Sequence, residues 1–206
     1  MLYEKPTKRY LRETALRLFR ERSFDEVTVN DICEACDVNK HTFYYYFKSK
    51  DELLHCNENL DALSPEEITD ILGAESCMEQ YWRFNRRLME FVQKQGINLM
   101  KKIFMQRISS GNDRLMPMRD RPEFARLQVG IIERGKASGE FQSAIDAPTL
   151  FFIAQNLLRS VSMTWCMRKG AFDLEYTLRY MLESLFEVKQ EHRKCQESPF
   201  EGYFGA

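Results

Sequence analysis

The stretch from Thr28 to Lys50, TVNDICEACDVNKHTFYYYFKSK, limits the possible folds more than any other part of the chain. It reads as two short helices joined by a tight turn. The first, Val29 to Cys36, opens on Thr28 as N-cap, with Asp31 three residues on at capping-box spacing. Asp37-Val38-Asn39 makes the turn: Asp tolerates left-handed backbone angles, and Asn39 is a strong N-cap for the second helix, Lys40 to Tyr46. Ile32, Cys36 and Val38 supply apolar groups, and Phe43 and Phe47, four apart, form an inward stripe. His41, Thr42, Tyr44 and Tyr45 then face outward, with Lys40 and Tyr46 at the flanks. Mere solvent contact does not account for so many rings and hydroxyls. The face suits a helix in a DNA major groove, where hydroxyls and imidazole reach phosphates or base edges and rings touch thymine methyls.

The rest of the chain also reads as helix, with no strand pattern and no internal repeat. Pro6-Thr7 starts a helix from Lys8 to about Arg22, with Leu11, Ala15, Leu18 and Phe19 on one face. Lys5, Lys8 and Arg9 at its start either reach DNA phosphates or form a solvated arm. Ser49–Glu52 is a second capping box, opening a helix through Leu53 and Leu54. Ser64-Pro65-Glu66-Glu67 starts a helix ending near Gly73, and Ser76-x-x-Glu79 opens a long one to about Lys94. Leu99, Met100, Ile103, Phe104 and Ile108 mark the next, broken at residues 109–112, and a connection follows from Met116 to Pro122. Glu123 to Ala137 is helical. Asp146-Ala147-Pro148 opens a helix to Lys169, and Asp173 opens the last, whose main face runs from Leu174 to Val188. In these two helices Phe152, Asn156 and Met163, and likewise Tyr176 and Tyr180, lie opposite the main apolar face, so each has something to bury on two sides. The tail from Lys194 is polar and has the normal character of a loose end, with docking through Phe200, Tyr203 or Phe204 as the alternative.

The run Val29-x-x-Ile32, Val38, Thr42-Phe43-Tyr44, Phe47, Lys50-x-x-Leu53 resembles the signature of the TetR-type transcriptional regulators, over about the first quarter of the chain. Two positions depart from it: Ser23 stands where the family has Gly before an aromatic, and Cys36-Asp37 where it often has Ala-Gly. The resemblance implies an all-α protein: a three-helix helix-turn-helix head over 1–50, a helical ligand-binding and dimerisation body over 51–193, and a tail over 194–206. It implies a fourth helix, Asp51–Leu63, linking head to body, and a last helix pair forming a four-helix dimer interface. Its partners would be double-stranded operator DNA, a second copy and a small-molecule effector. Thr28, Lys50 and the hydroxyls of Tyr44, Tyr45 and Tyr46 would anchor phosphates beside Lys40, while His41, Thr42 and Tyr45 touch bases. The family's effector pocket falls in the middle region, rich in Met and aromatic residues. Trp82, Met89, Phe104, Gln128 and Trp165 are its expected lining, and an apolar or aromatic molecule its expected guest. Phe152, Asn156, Met163, Tyr176 and Tyr180 are expected to meet the second copy.

Composition is consistent with this and excludes little by itself. Net charge is −1 and 44% of residues are apolar, as in a soluble globular protein. Residues 1–50 carry ten Lys and Arg against eight Asp and Glu, a mild basic excess. No secretory signal or membrane-length apolar run is evident, which points to the cytoplasm. Cys33-x-x-Cys36 has redox or metal spacing, but no second Cys/His pair follows, and small packing residues are the simpler reading. No nucleophile triad, phosphate loop or paired carboxylate makes a case for catalysis, and no cofactor is implied. The expected function is a repressor released from a palindromic operator by its effector. The alternatives are an activator whose body binds a protein partner, and a thiol or metal-based sensor.

Overall fold

A computed structural model describes residues 8–54, 64–109 and 122–201. Expectations for Lys5, Thr7, the helix beyond Leu54, residues 110–121, Tyr203 and Phe204 fall outside the described residues. Within them the protein is all-helical: α1 (Lys8–Arg22), α2 (Val29–Ala35), α3 (Lys40–Tyr46), α4 (Pro65–Leu72), α5 (Cys77–Ser109), α6 (Pro122–Ala137), α7 (Ala147–Met167) and α8 (Leu174–Leu185), with short 3-10 turns at Asp51–Leu54 and Gln190–His192. No described helix is long and apolar enough to cross a membrane. The chain divides into two compact units, Met1–Asn57 with Val92–Asp113, and Glu58–Phe91 with Arg114–Ala206.

In the first unit the predicted faces pack as the periodicity requires. Leu11, Ala15, Leu18 and Phe19 of α1 are buried, with Ile32, Cys33 and Cys36 from α2 and its cap, and Phe43 and Phe47 from α3 and its cap. Edge-to-face Phe19 and Phe24 rings, 4.9 Å apart, close the loop after α1. Leu99, Met100, Ile103 and Phe104, from the later part of α5, are buried as well. Arg20 donates to the Gln95 side chain at 2.9 Å, and Lys102 pairs with Asp25 at 2.7 Å. The sequence divides α5 into two helices, and the backbone does break between them. Gly96 adopts φ 75, ψ 164, a region essentially reserved for glycine.

The second unit is built on caps. Ser64 and Glu67 exchange side-chain bonds with each other's backbone N–H groups at the start of α4. Ser76 accepts from the Glu79 N–H at 3.1 Å, and the Glu140 carboxylate, from a distant loop, accepts the Cys77 and Met78 N–H groups at 2.8 and 2.7 Å. That carboxylate supplies acceptors and negative charge where the helix start needs both. α7 packs against both α6 and α8. Gly135 of α6 lies under Phe141, whose ring stacks on Phe186 at 4.9 Å; a Cβ at 135 would meet the Phe141 ring at 2.5 Å.

The C-terminal part differs from the sequence reading at Val188, and it decides between the two alternatives for the tail. α8 stops at Leu185 with Phe186 as its cap, so Val188 is not on the helix; it bridges to Phe141 instead. Residues 194–201 are also not a loose end. The buried Glu183 carboxylate accepts the backbone N–H groups of Lys194 and Cys195 at 3.1 and 3.0 Å and the Arg179 Nε–H at 2.8 Å. Arg179 and Lys194 both donate to Glu79, at 2.9 and 3.0 Å. Polar composition suggested looseness, but one buried carboxylate with several donors holds the tail in place.

Candidate nucleic-acid interface

The α2–turn–α3 unit is held by local chemistry that its sequence specifies. Thr28 and Asp31 form a reciprocal capping box, the Thr28 N–H donating to Asp31 at 2.7 Å. The Thr28 hydroxyl, its backbone N–H and Arg22, in that order, hold the Asp31 carboxyl down to about 2. Asp37 takes the left-handed turn position at φ 52, and the Val38 N–H returns to the Cys33 carbonyl at 2.9 Å. Asn39 then caps α3 through the Thr42 N–H at 2.8 Å.

With Phe43 fully buried and Phe47 beside it at 5.7 Å between ring centroids, the rotation of α3 is fixed. Tyr44 and Tyr45 project outward at 53% and 77% exposure, and Lys40 and His41 are exposed. Tyr46 is half-buried, its ring meeting Tyr45 edge-on at 4.9 Å. An exposed aromatic pair of this size on a short, capped helix is what a groove reader needs: rigid apolar area with a polar tip.

Three predicted contact residues turn out to be engaged within the head. Thr28 uses its O–H on Asp31, so it cannot also donate to a phosphate in this arrangement. The Thr42 O–H points back to the Asn39 side chain at 3.1 Å. Lys50 is half-buried: its ammonium donates to the Phe24 and Val27 carbonyls at 2.7 and 2.8 Å and lies 4.2 Å from the centre of the Phe24 ring. Neither bond could be read from the sequence, because both carbonyls lie more than twenty residues earlier.

Cys33 and Cys36 are buried free thiols. Burial, and for Cys33 the neighbouring Cys36, pushes both above the ordinary thiol value, which keeps them protonated and unreactive. Among the described residues no group of three or more His, Cys, Asp or Glu is placed to hold a metal.

The predicted body residues are divided between the two units. Phe104 belongs to the first unit, the other four to the second. Trp82 is buried under the Arg179 guanidinium at 5.3 Å and edges a cleft of about 690 Å³, lined also by Glu66, Arg83, Arg87 and Glu90. That lining is charged, not apolar. Met89 and Gln128 are fully buried, and the Trp165 indole donates to the Phe172 carbonyl at 3.1 Å. Gln128 sits in a polar cluster with Tyr81, Asn85 and Gln155 that the sequence reading overlooked. The available signal was an amide at a buried position of the helical stripe on both α5 and α7.

Of the predicted partner-facing residues, Phe152 is 67% exposed. Asn156 is exposed and bonded to the Phe152 carbonyl at 2.8 Å, and Met163 is half-buried. Met167, one turn beyond Met163, is 70% exposed and extends this α7 face. Tyr176 and Tyr180 are half-buried and engaged by their own tail. The Tyr176 hydroxyl donates to the Glu197 carbonyl at 2.9 Å, while Tyr180 meets the Phe200 ring at 6.3 Å and the Arg193 guanidinium at 5.8 Å.

Residues 11–55 match the family model described as bacterial regulatory proteins, tetR family. Over 42 residues the chain is 43% identical to the HTH-type transcriptional regulator YuxN and 40% identical to YerO, both of Bacillus subtilis (strain 168). Each match spans 20% of this chain and 14% of the relative. Among solved structures, the chain is similar to the TetR family transcriptional regulator PfmR of Thermus thermophilus, with TM-score 0.55 and 20% identity over 87% of this chain and 98% of that one. It is also similar to the fatty acid degradation regulator FadR of Bacillus halodurans, with TM-score 0.58 and 16% identity over 89% and 96%. For Thermus thermophilus FadR, a TetR-family repressor solved with lauroyl-CoA, the TM-score is 0.59 and the identity 22%, over 94% and 98%. At these identities the structural likeness carries the fold.

Proposed function

We propose that the chain is a member of the tetR family of bacterial regulatory proteins, whose model residues 11–55 match, and that it is a sequence-specific DNA-binding repressor. The observation that carries this reading is the outward face of α3, where Tyr45 and Tyr44 stand exposed on a helix locked by Phe43. Lys40–Tyr46 enters the major groove; His41, Tyr44 and Tyr45 meet base edges, thymine methyls and phosphates, and Lys40 meets the backbone. Thr28 and Lys50 position the helix from behind, with Thr42 holding its first turn. A homodimer reads two half-sites of a palindrome. The α7 face bearing Phe152, Asn156, Met163 and Met167 supports such pairing, being exposed and partly apolar. A small molecule held in the body shifts the protein toward a form that no longer fits two successive grooves. It does so only by its difference in affinity between the two forms. The solved neighbour bound to lauroyl-CoA supports an effector-responsive body of this general kind.

The test is selection of a bound duplex from a random DNA pool, followed by footprinting with Tyr45→Ala. The variant should remain dimeric by sedimentation and lose at least tenfold in specific affinity, about the contribution of one good base contact. Equal protection at equal concentration would remove this face of α3 from the interface.

A further inference from the structure

The core of the second unit contains an unusual group of neutral polar side chains. Asn85 of α5 donates to the Tyr81 carbonyl and to the Gln128 side-chain oxygen of α6, both at 2.8 Å. Gln155 of α7 is tied in loosely: its amide N–H groups reach Gln128 at 3.3 Å, and the Asn85 oxygen and Tyr81 hydroxyl at 3.5 Å. Its side-chain oxygen is buried and accepts no hydrogen bond from another protein group. Buried acceptors are nearly always satisfied, so an orphan in the middle of a polar cluster calls for a reason. Tyr81, Asn85 and Gln128 are almost wholly buried, and Gln155 retains 9% exposure.

We propose that Gln155, with Tyr81, Asn85 and Gln128 behind it, is the polar anchor of the effector site, and that it accepts a hydrogen bond from an uncharged hydroxyl or amide group. This rests on the effector-responsive reading above. The ligand class follows from the cluster's chemistry. None of the four side chains is charged, and burial raises the Tyr81 phenol well above its ordinary value, so it stays neutral. A carboxylate would meet the orphan oxygen with like polarity and find no cation in the cluster. A hydroxyl or amide N–H satisfies that oxygen, and its own oxygen can accept from the Gln155 amide. One helical turn beyond Asn85 and two beyond Gln155, Met89 and Ser162 are fully buried, the Ser162 hydroxyl 3.9 Å from the Met89 sulfur. Next to Tyr81 the Phe186 ring packs edge-on at 5.0 Å. An apolar remainder of the ligand suits the Met89 and Phe186 side of the cluster.

The probes are octan-1-ol, octanamide, benzyl alcohol and benzamide, against octanoate and benzoate. Thermal midpoints are read for the full chain and for Gln155→Met, which keeps the length of the side chain and removes its polar atoms. At tenfold excess over Kd, an alcohol or amide should raise the wild-type midpoint by about 3–6 °C. The carboxylates should not. Gln155→Met should lose at least two-thirds of that shift, read against its own unliganded midpoint, since the variant also gives up the amide bonds to Asn85 and Gln128. The proposal is overturned if no alcohol or amide shifts the wild type, if the carboxylates shift it as much, or if Gln155→Met responds like wild type. Operator release is measured separately. If the probes bind through Gln155 but leave a selected duplex in place, the anchor stands and the effector-controlled repressor reading fails.

Discussion

Replacing Lys50 by Met separates two roles that the sequence cannot distinguish. Met keeps the stem against the Phe24 ring and removes the ammonium. The ammonium makes two charge-assisted hydrogen bonds, to the Phe24 and Val27 carbonyls, and a cation–π contact with Phe24. Each bond is set at about 1–1.5 kcal/mol, toward the low end for a charged donor because Lys50 is half exposed and water can replace it in part. The ring contact adds about 0.5–1 kcal/mol, and the thioether recovers a few tenths of that. The expected loss is about 2–3.5 kcal/mol, or roughly 5–14 °C in the melting midpoint of a chain of this size. The assay is thermal and urea unfolding followed by helical circular dichroism, alongside the salt dependence of binding to a selected duplex. If Lys50 chiefly holds the loop before α2 against the head, stability falls by that amount and the salt slope, measured below the new midpoint, changes by much less than one unit. If it is a phosphate anchor, the midpoint moves by less than about 1 °C and the slope drops by roughly 0.9, the release of one counterion. The second result would refute the positioning role.

Two further outcomes are expected. Ser23 sits at φ 72, where a Cβ is crowded; Ser23→Gly should stabilise the chain by about 0.5–1 kcal/mol, relief of strain exceeding the added entropy of glycine in the unfolded chain. A lower midpoint in calorimetry would mean the serine side chain matters more than its backbone. Glu183→Ala should cost about 2–4 kcal/mol, because it removes one of the two carboxylates on the buried Arg179 guanidinium, leaving Glu79, and frees the Lys194 and Cys195 N–H groups. Cys195, buried and pushed up to about 11 by desolvation and then by Glu183, should become readily modified by a thiol reagent in that variant. A thiol as slow as wild type would show that other contacts hold the tail.

The parts of the fold that were legible in advance are those written in short-range code. Caps at Thr28, Asn39, Ser64, Asp146 and Asp173 open helices where the sequence places them, because each cap satisfies N–H groups two or three residues away. The left-handed Asp37 and the break at Gly96 belong to the same class: one residue's steric freedom decides the backbone there. The face of α3 was also readable, since Phe43 and Phe47 determine its rotation and leave Tyr44 and Tyr45 outside.

What could not be read were pairings between residues far apart in the chain. Lys50 looked like a free cation until its partners, Phe24 and Val27, came within reach. Tyr176 and Tyr180 looked like a surface for another molecule until residues 193–200 folded over them. Gln155 was one polar residue in an apolar helix, and its place beside Tyr81, Asn85 and Gln128 depends on how three helices pack. Thr28 to Lys50 thus dictates its own helix-turn-helix and the outward tyrosines, because capping and periodicity act over three or four residues. Which polar groups are free to bind anything else is set by long-range packing, because a donor or acceptor is available only when no distant partner has already claimed it.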